Sequence, residues 1–168
     1  MITFWKWLRV GSGNAPAGFR NIFNAWLALH ATIALAATYS IVADPVSFAA
    51  KALFPASSVL IGMSMAWTTR ASTVLQTKEL RDALFNDERP AEDYVYGFQL
   101  SILIVMIMVG YVALMAGGGI NLTVFGNYWD NRLSAYWMYF LISLALRECW
   151  GVVNFTNMLS MLEYRRKK

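Results

Sequence analysis

Residues 94–116 read YVYGFQLSILIVMIMVGYVALMA, the most apolar stretch of the chain, and what covers this stretch decides the fold. A helix rises about 1.5 Å per residue, so about 20 apolar residues cross the roughly 30 Å hydrocarbon core of a bilayer. The alternative is the centre of a soluble helical bundle, whose outer helices would confine their apolar residues to one stripe. Three further windows argue against that alternative: NIFNAWLALHATIALAATYSIVA (21–43), FPASSVLIGMSMAWTTRASTV (54–74) and LSAYWMYFLISLALRECWGVVNFTNMLSML (133–162). None has a one-sided apolar stripe in its central turns, so lipid must cover part of each. The composition is 58% hydrophobic, 15% aromatic and 14% charged, against about 45–50% apolar and about 25% charged in soluble domains. The sequence predicts an all-α integral membrane protein of four transmembrane helices, one domain over 1–168, expected to assemble as a homo-oligomeric bundle. The fourth window is about 45 Å long as a helix and should tilt or protrude.

Lysine and arginine set the orientation. With the N-terminus in the cytoplasm, that side holds Lys6, Arg9, Arg20, Arg70, Lys78, Arg81, Arg89, Arg165, Arg166, Lys167 and Lys168. The far side holds only Lys51 and Arg132, and the positive-inside rule then places both termini in the cytoplasm. The first twenty residues lack the apolar run of a cleavable signal. FWKWLRV (4–10) alternates aromatic rings with cations, which suits a retained segment in the headgroup zone. DPVSFAAKAL (44–53) is expected to be a short connection along the outer surface. After the second window the helix is expected to run on toward Pro90, which stops it. GGGINLTVFGNYWDNR (117–132) is expected to form a small β-like hairpin or a re-entrant loop. Its TVFGNYWD departs from the potassium-channel filter pattern at the glycine positions and has no pore helix before it, so an ordinary structured loop is expected.

Arg147 and Glu148 are the anomaly. With Trp137 and Tyr164 as interface markers, both fall near the middle of the fourth window, where a charge costs about 2.5–3.5 kcal/mol on insertion scales and must face protein or water. Ser143, Arg147, Asn154 and Asn157 follow offsets of 4, 7 and 3 and share one helical stripe. Glu148 is turned about 100° from Arg147, and adjacent residues do not face each other on a helix. A partner from another helix or another copy is therefore expected for each charge, the simplest being Arg147 of one subunit against Glu148 of the next, in a tetramer. His30 and Gln99 lie at related depths and, with Thr68, Asn154 and Asn157, could line a hydrated vestibule open to the cytoplasm. His30 and Gln99 also fit plain interhelical hydrogen bonding. Arg147 and Glu148 fit either a structural pair or a permeation and gating role. Met63, Met65, Met106, Met108 and Met115 read as lipid-facing or core surface, and Cys149, the one cysteine, as a small buried residue.

No nucleophile–base pair, HExxH sequence or His-rich cluster is present, and Asp87/Glu88 and Glu92/Asp93 sit in a polar loop, so neither enzymatic activity nor a cofactor or metal is expected. No nucleic-acid partner is inferred. The expected function is a small oligomeric ion channel or pore-forming effector of a bacterial inner membrane, its partners being the lipid bilayer, itself and an activating ligand or protein. The alternative is a non-catalytic accessory or assembly subunit of a larger membrane complex. A transporter is disfavoured by the lack of an internal repeat. The residues expected to line or gate a pore are Arg147, Glu148, Asn154, Asn157, Ser143, His30 and Gln99.

Overall fold

The computed structural model describes residues 3–11, 16–41, 43–75, 91–119 and 127–166. In chain order they form α1 (Phe4–Val10), α2 (Phe19–Ile22), α3 (Ala25–Ser40), α4 (Pro45–Phe48), a π-helical turn (Ala49–Leu53), α5 (Phe54–Leu75), α6 (Ala91–Ala116) and α7 (Asn127–Arg166). The described residues contain no strand, and the protein is all-α.

Capping chemistry moves several expected boundaries. The first window does not form one helix. Asn24 adopts an extended backbone and its side chain accepts from the Trp26 N–H at 3.0 Å, capping α3 and separating it from α2. Asparagine is among the best N-cap residues because its side chain satisfies an N–H that has no intrahelical partner. α3 is thereby left with 16 residues, about 24 Å. The second window starts earlier than expected. Asp44 accepts from the Ser47 N–H at 2.9 Å and Pro45 occupies the first turn, so 45–53 is helical and runs directly into α5 rather than lying along a surface. α6 ends at three glycines, two of which, Gly118 and Gly119, take φ of 116° and 79°, a region other residues rarely adopt. The hairpin or re-entrant loop expected over 117–132 is not formed at its C-terminal part: α7 is already helical from Asn127, since no glycine or proline follows Gly126 until Gly151. Residues 120–126, and the expected extension of α5 over 76–90, lie outside the described residues.

α7, 40 residues long, is the spine. α5 and α6 lie against it and against each other, whereas α3 makes its extensive contact with α7 alone. The pairings Tyr111–Ser134 and Ser101–Glu148 make α6 antiparallel to α7, and His30–Ser143 and Asn21–Arg147 do the same for α3. The core is built from Met108, Val112, Met115, Met138 and Leu144, with Ala34, Ala49 and Ala145 where backbones come close. A second cluster, Phe98, Val152 and Leu159 with Trp67, Tyr94 and Phe155, joins α5, α6 and α7 beyond the start of α3. The methionines divide: Met108 and Met115 are core, Met63, Met65 and Met106 point outward.

Two stretches, 45–69 and 93–116, are long and apolar enough to cross a membrane. Only 11% and 44% of their most apolar windows are buried inside the protein, whereas the core helix of a soluble bundle would be mostly covered.

Within the N-terminal segment one ring turns onto the protein. Trp7 is fully buried: its indole N–H donates to Asp93 Oδ1 at 2.6 Å, and its ring meets Phe4 and Tyr96. It also covers Gly18, where a Cβ would lie 2.5 Å from the ring. α1 is thus clamped onto the first turn of α6 by Trp7, while Trp5 stays exposed.

Candidate functional site

Arg147 and Glu148 of α7 both find partners within one chain. Arg147 Nε stands 3.6 Å from Glu148 Oε1, an ion pair too long to be a hydrogen bond. Arg147 Nη2 donates to the Asn21 carbonyl at 2.7 Å, and Ser101 Oγ donates to Glu148 Oε2 at 2.8 Å. The side chains keep 26% and 16% of their surface exposed. The expectation that neighbouring positions cannot meet therefore fails here. It holds for Cβ directions, but a guanidinium on three methylenes reaches sideways across the helix while its far end remains anchored on Asn21. Arg147 Nη1 is buried without a hydrogen-bond partner, and such a donor costs about 1–3 kcal/mol if left dry.

Around these groups lies an open cleft of about 370 Å³, floored by Arg147, Glu148 and Ser101 and edged by Asn21, Asn24 and Asp93. Gly97 and Gly151 face it, and a Cβ on either would touch nothing within 4 Å. The missing side chains keep the cleft wide. Asp93 is held on the rim by Trp7, and Asn24 donates to the same Asn21 carbonyl that receives Arg147. The walls are thus α6 on one side and the start of α3 on the other, with α7 between.

One turn along the same seam, His30 is 7% exposed and its Nδ1 lies 2.7 Å from Ser143 Oγ, while its Nε2 is buried without a partner. The interhelical hydrogen bond expected of His30 is present. Farther along, Ala34 is wholly buried and closes the seam. Past that closure a second cleft, about 350 Å³, is lined by Thr38, Tyr39, Asn131, Arg132 and Tyr139, with the Arg132 guanidinium 4.8 Å from the centre of the Tyr39 ring. Clefts of mixed polar and apolar lining therefore occupy both ends of the α3·α7 contact, with a His–Ser pair between.

Four of the seven expected residues converge: Arg147, Glu148, Ser143 and His30. Gln99, Asn154 and Asn157 do not. Gln99 sits between the buried Phe98 and Leu100 and faces outward; Asn154 and Asn157 occupy the side of α7 opposite Val152, Phe155 and Leu159. They share depth with the cleft, but rotation about the helix axis turns them away from it. Thr68 spends its hydroxyl on the Ser64 carbonyl of its own helix. The ion pair stands at mid-length of α7 but beside the lead-in to α3, Arg147 reaching a carbonyl four residues ahead of Ala25, the first residue of α3. Ser101, Asp93, Asn21 and Asn24 belong to the site without having been expected there. Asp93, expected in a polar loop, stands on the first turn of α6, and Asn21 and Asn24, three apart at the head of the first window, are the signal the sequence offers.

The arrangement defines a helical protein with a mixed-charge cleft at one end of an outwardly apolar bundle. Comparison of the chain with protein-family models, with curated proteins and with solved structures found no match.

Proposed function

We propose that the protein is a four-span integral membrane protein, both termini cytoplasmic, that conducts ions along the α3·α7 seam. The outward apolar surfaces of α5 and α6 support insertion: Val59, Met63, Met65, Met106, Ile107 and Leu114 are all exposed on the protein and would meet lipid. Trp26 and Trp150 near the Arg147 end, and Tyr39 and Trp137 near the Arg132 end, suit two interfacial belts. α3 and α7 complete the four spans, the charges of α7 being turned onto protein rather than lipid.

The observation that carries conduction is the pair of clefts, each holding polar and charged side chains within a mixed lining, at opposite ends of one helix contact, with the His30–Ser143 pair between them. An ion entering lipid depth needs polar groups that face protein and water, and this seam supplies them from both ends. Closure at Ala34 makes the present conformation shut. α3, whose extensive contact is with α7, is the wall that moves in this reading. In this reading Arg147 sets the field at the inner mouth, and deleting its charge changes which ions pass.

Planar-bilayer recording of the purified protein is the test. Current is expected, with Arg147→Gln altering conductance or anion-to-cation preference while the protein stays folded. Silence under voltage and across ligands overturns the channel reading. The accessory-subunit reading is favoured by a different observation, the exposed Trp150, Asn154 and Asn157 on α7. It predicts no current and co-purification of a partner that Asn154→Leu releases.

A further inference from the structure

Along the seam, α7 sets one residue per turn between the two clefts. Tyr139 lines the outer cleft, Arg147 floors the inner one, and Ser143 stands midway. Four residues of helix rise about 6 Å, so the His30–Ser143 pair lies about one turn of α7 from either cleft. The stretch around the pair is closed: Ala34 on α3 and Ala145 on α7 are wholly buried. His30, the only histidine of the chain, is itself buried there, with Nδ1 engaged by Ser143 Oγ and Nε2 without a partner. A buried ring nitrogen left open in this way is uncommon and calls for a reason beyond packing. Among the described residues the charged groups that act on the ring are Arg147 and Glu148, both from α7. They are paired with each other, so the ring faces a locally neutral pair and not a bare guanidinium.

We infer that the ion carried along this seam is the proton, and that His30 carries it between the clefts. The inference rests on the conduction reading above and narrows it to one ion. A metal cation or a halide leaving water needs several polar ligands at once to replace its hydration shell. Across the closed stretch the described residues of the seam offer one imidazole and one hydroxyl. A proton needs no shell, because it travels as an N–H or O–H bond, and histidine is the side chain most suited to shuttling it. The neutral ring holds one hydrogen and one lone pair. With its hydrogen on Nδ1, donated to Ser143 Oγ, the lone pair sits on Nε2 and takes a proton from water of one cleft. The ring is then a cation with a hydrogen on each nitrogen. Nδ1 gives its proton to Ser143 Oγ as the hydroxyl passes its own to water of the other cleft. The ring is left neutral with its hydrogen on Nε2, and rotation of ring and hydroxyl restores the first arrangement. One proton has crossed, and only N–H and O–H bonds have formed or broken.

Purified protein in proteoliposomes loaded with a pH-sensitive dye tests this. Under a potential set by potassium and valinomycin, proton entry is expected well above that of protein-free vesicles. In planar bilayers the reversal potential is expected to follow the proton gradient and to ignore exchange of sodium for potassium or gluconate for chloride. His30→Gln keeps a polar side chain but cannot relay a proton, and is expected to lower proton flux about a hundredfold or more. Ser143→Ala is expected to lower it as well, and Ser143→Thr, which keeps the hydroxyl, to restore it. Nitrogen NMR of the unmodified protein, labelled at its only histidine, is expected to show both ring nitrogens exchanging between protonated and unprotonated forms. That measurement decides the role of the ring even where His30→Gln does not fold. A ring fixed in one tautomer at acid and neutral pH overturns the inference, as does undiminished proton flux in folded His30→Gln. A reversal potential set by potassium or chloride overturns the inference and leaves conduction standing. Silence toward every ion removes conduction and the proton with it.

Discussion

At the scale of single residues, the site depends on a few partners that leave little slack. Glu148 neutralises Arg147 and is held by Ser101; removing one member strands the other. Glu148→Gln is expected to cost more stability than the double change Arg147→Gln/Glu148→Gln, because an unpaired, half-buried guanidinium is worse than two amides. Thermal unfolding in detergent, run as a double-mutant cycle, measures the coupling, and additive losses would contradict the pair. Trp7 offers a second check. Gly18→Ala drives a methyl into the indole, for which about 1–3 kcal/mol of destabilisation is expected from overpacking, read as a lower melting temperature with a shift in tryptophan emission. The rarity of charge in an apolar window made Arg147 and Glu148 legible in the sequence, and 3.6-residue spacing attached Ser143 to them. Ser101 was not legible, since a serine in an apolar helix ordinarily bonds to its own helix, as Ser101 also does to the Gly97 carbonyl.

The helices themselves are governed by two capping side chains that hydropathy ignores. Asn24 ends the kinked lead-in and starts α3; Asp44 starts the long helix that becomes α5. Loss of either cap is expected to cost about 0.5–2 kcal/mol. The two differ in consequence. Asn24→Ala also frees the Asn21 carbonyl that anchors Arg147, so it should loosen the inner cleft and raise hydrogen exchange at the first turn of α3. Asp44→Ala should affect only the 45–48 turn. Equal exchange changes around Asn21 in both variants would show that the cap and the cleft are independent. Window lengths were legible because apolar composition is a bulk property of about twenty residues. Breaks inside a window were not, since a single asparagine barely alters that average while redirecting the backbone.

For the molecule as a whole, orientation is the first thing to establish. Single cysteines at Ser40 and Tyr164 are expected to label from opposite faces of the membrane, Tyr164 only after the cytoplasmic side is opened. Labelling of both from one side would overturn the four-span reading. The all-α architecture was readable in advance; the level of the ion pair relative to α3 was not, because it depends on where α3 starts against α7, a tertiary fact. That relation has a physical consequence. α3 is 16 residues and α6 is 26, about 24 Å against about 39 Å, and they stand on different sides of α7. A bilayer with a hydrocarbon core of about 30 Å matches neither flank, being too thick for one and too thin for the other. On the proposed four-span reading, lipids beside α3 would compress and those beside α6 would stretch or let the helix tilt, so the protein would sit in a wedge of its own making. Shorter acyl chains would relieve the mismatch on the α3 flank, and membrane thickness would then bear on the packing of α3 against α7.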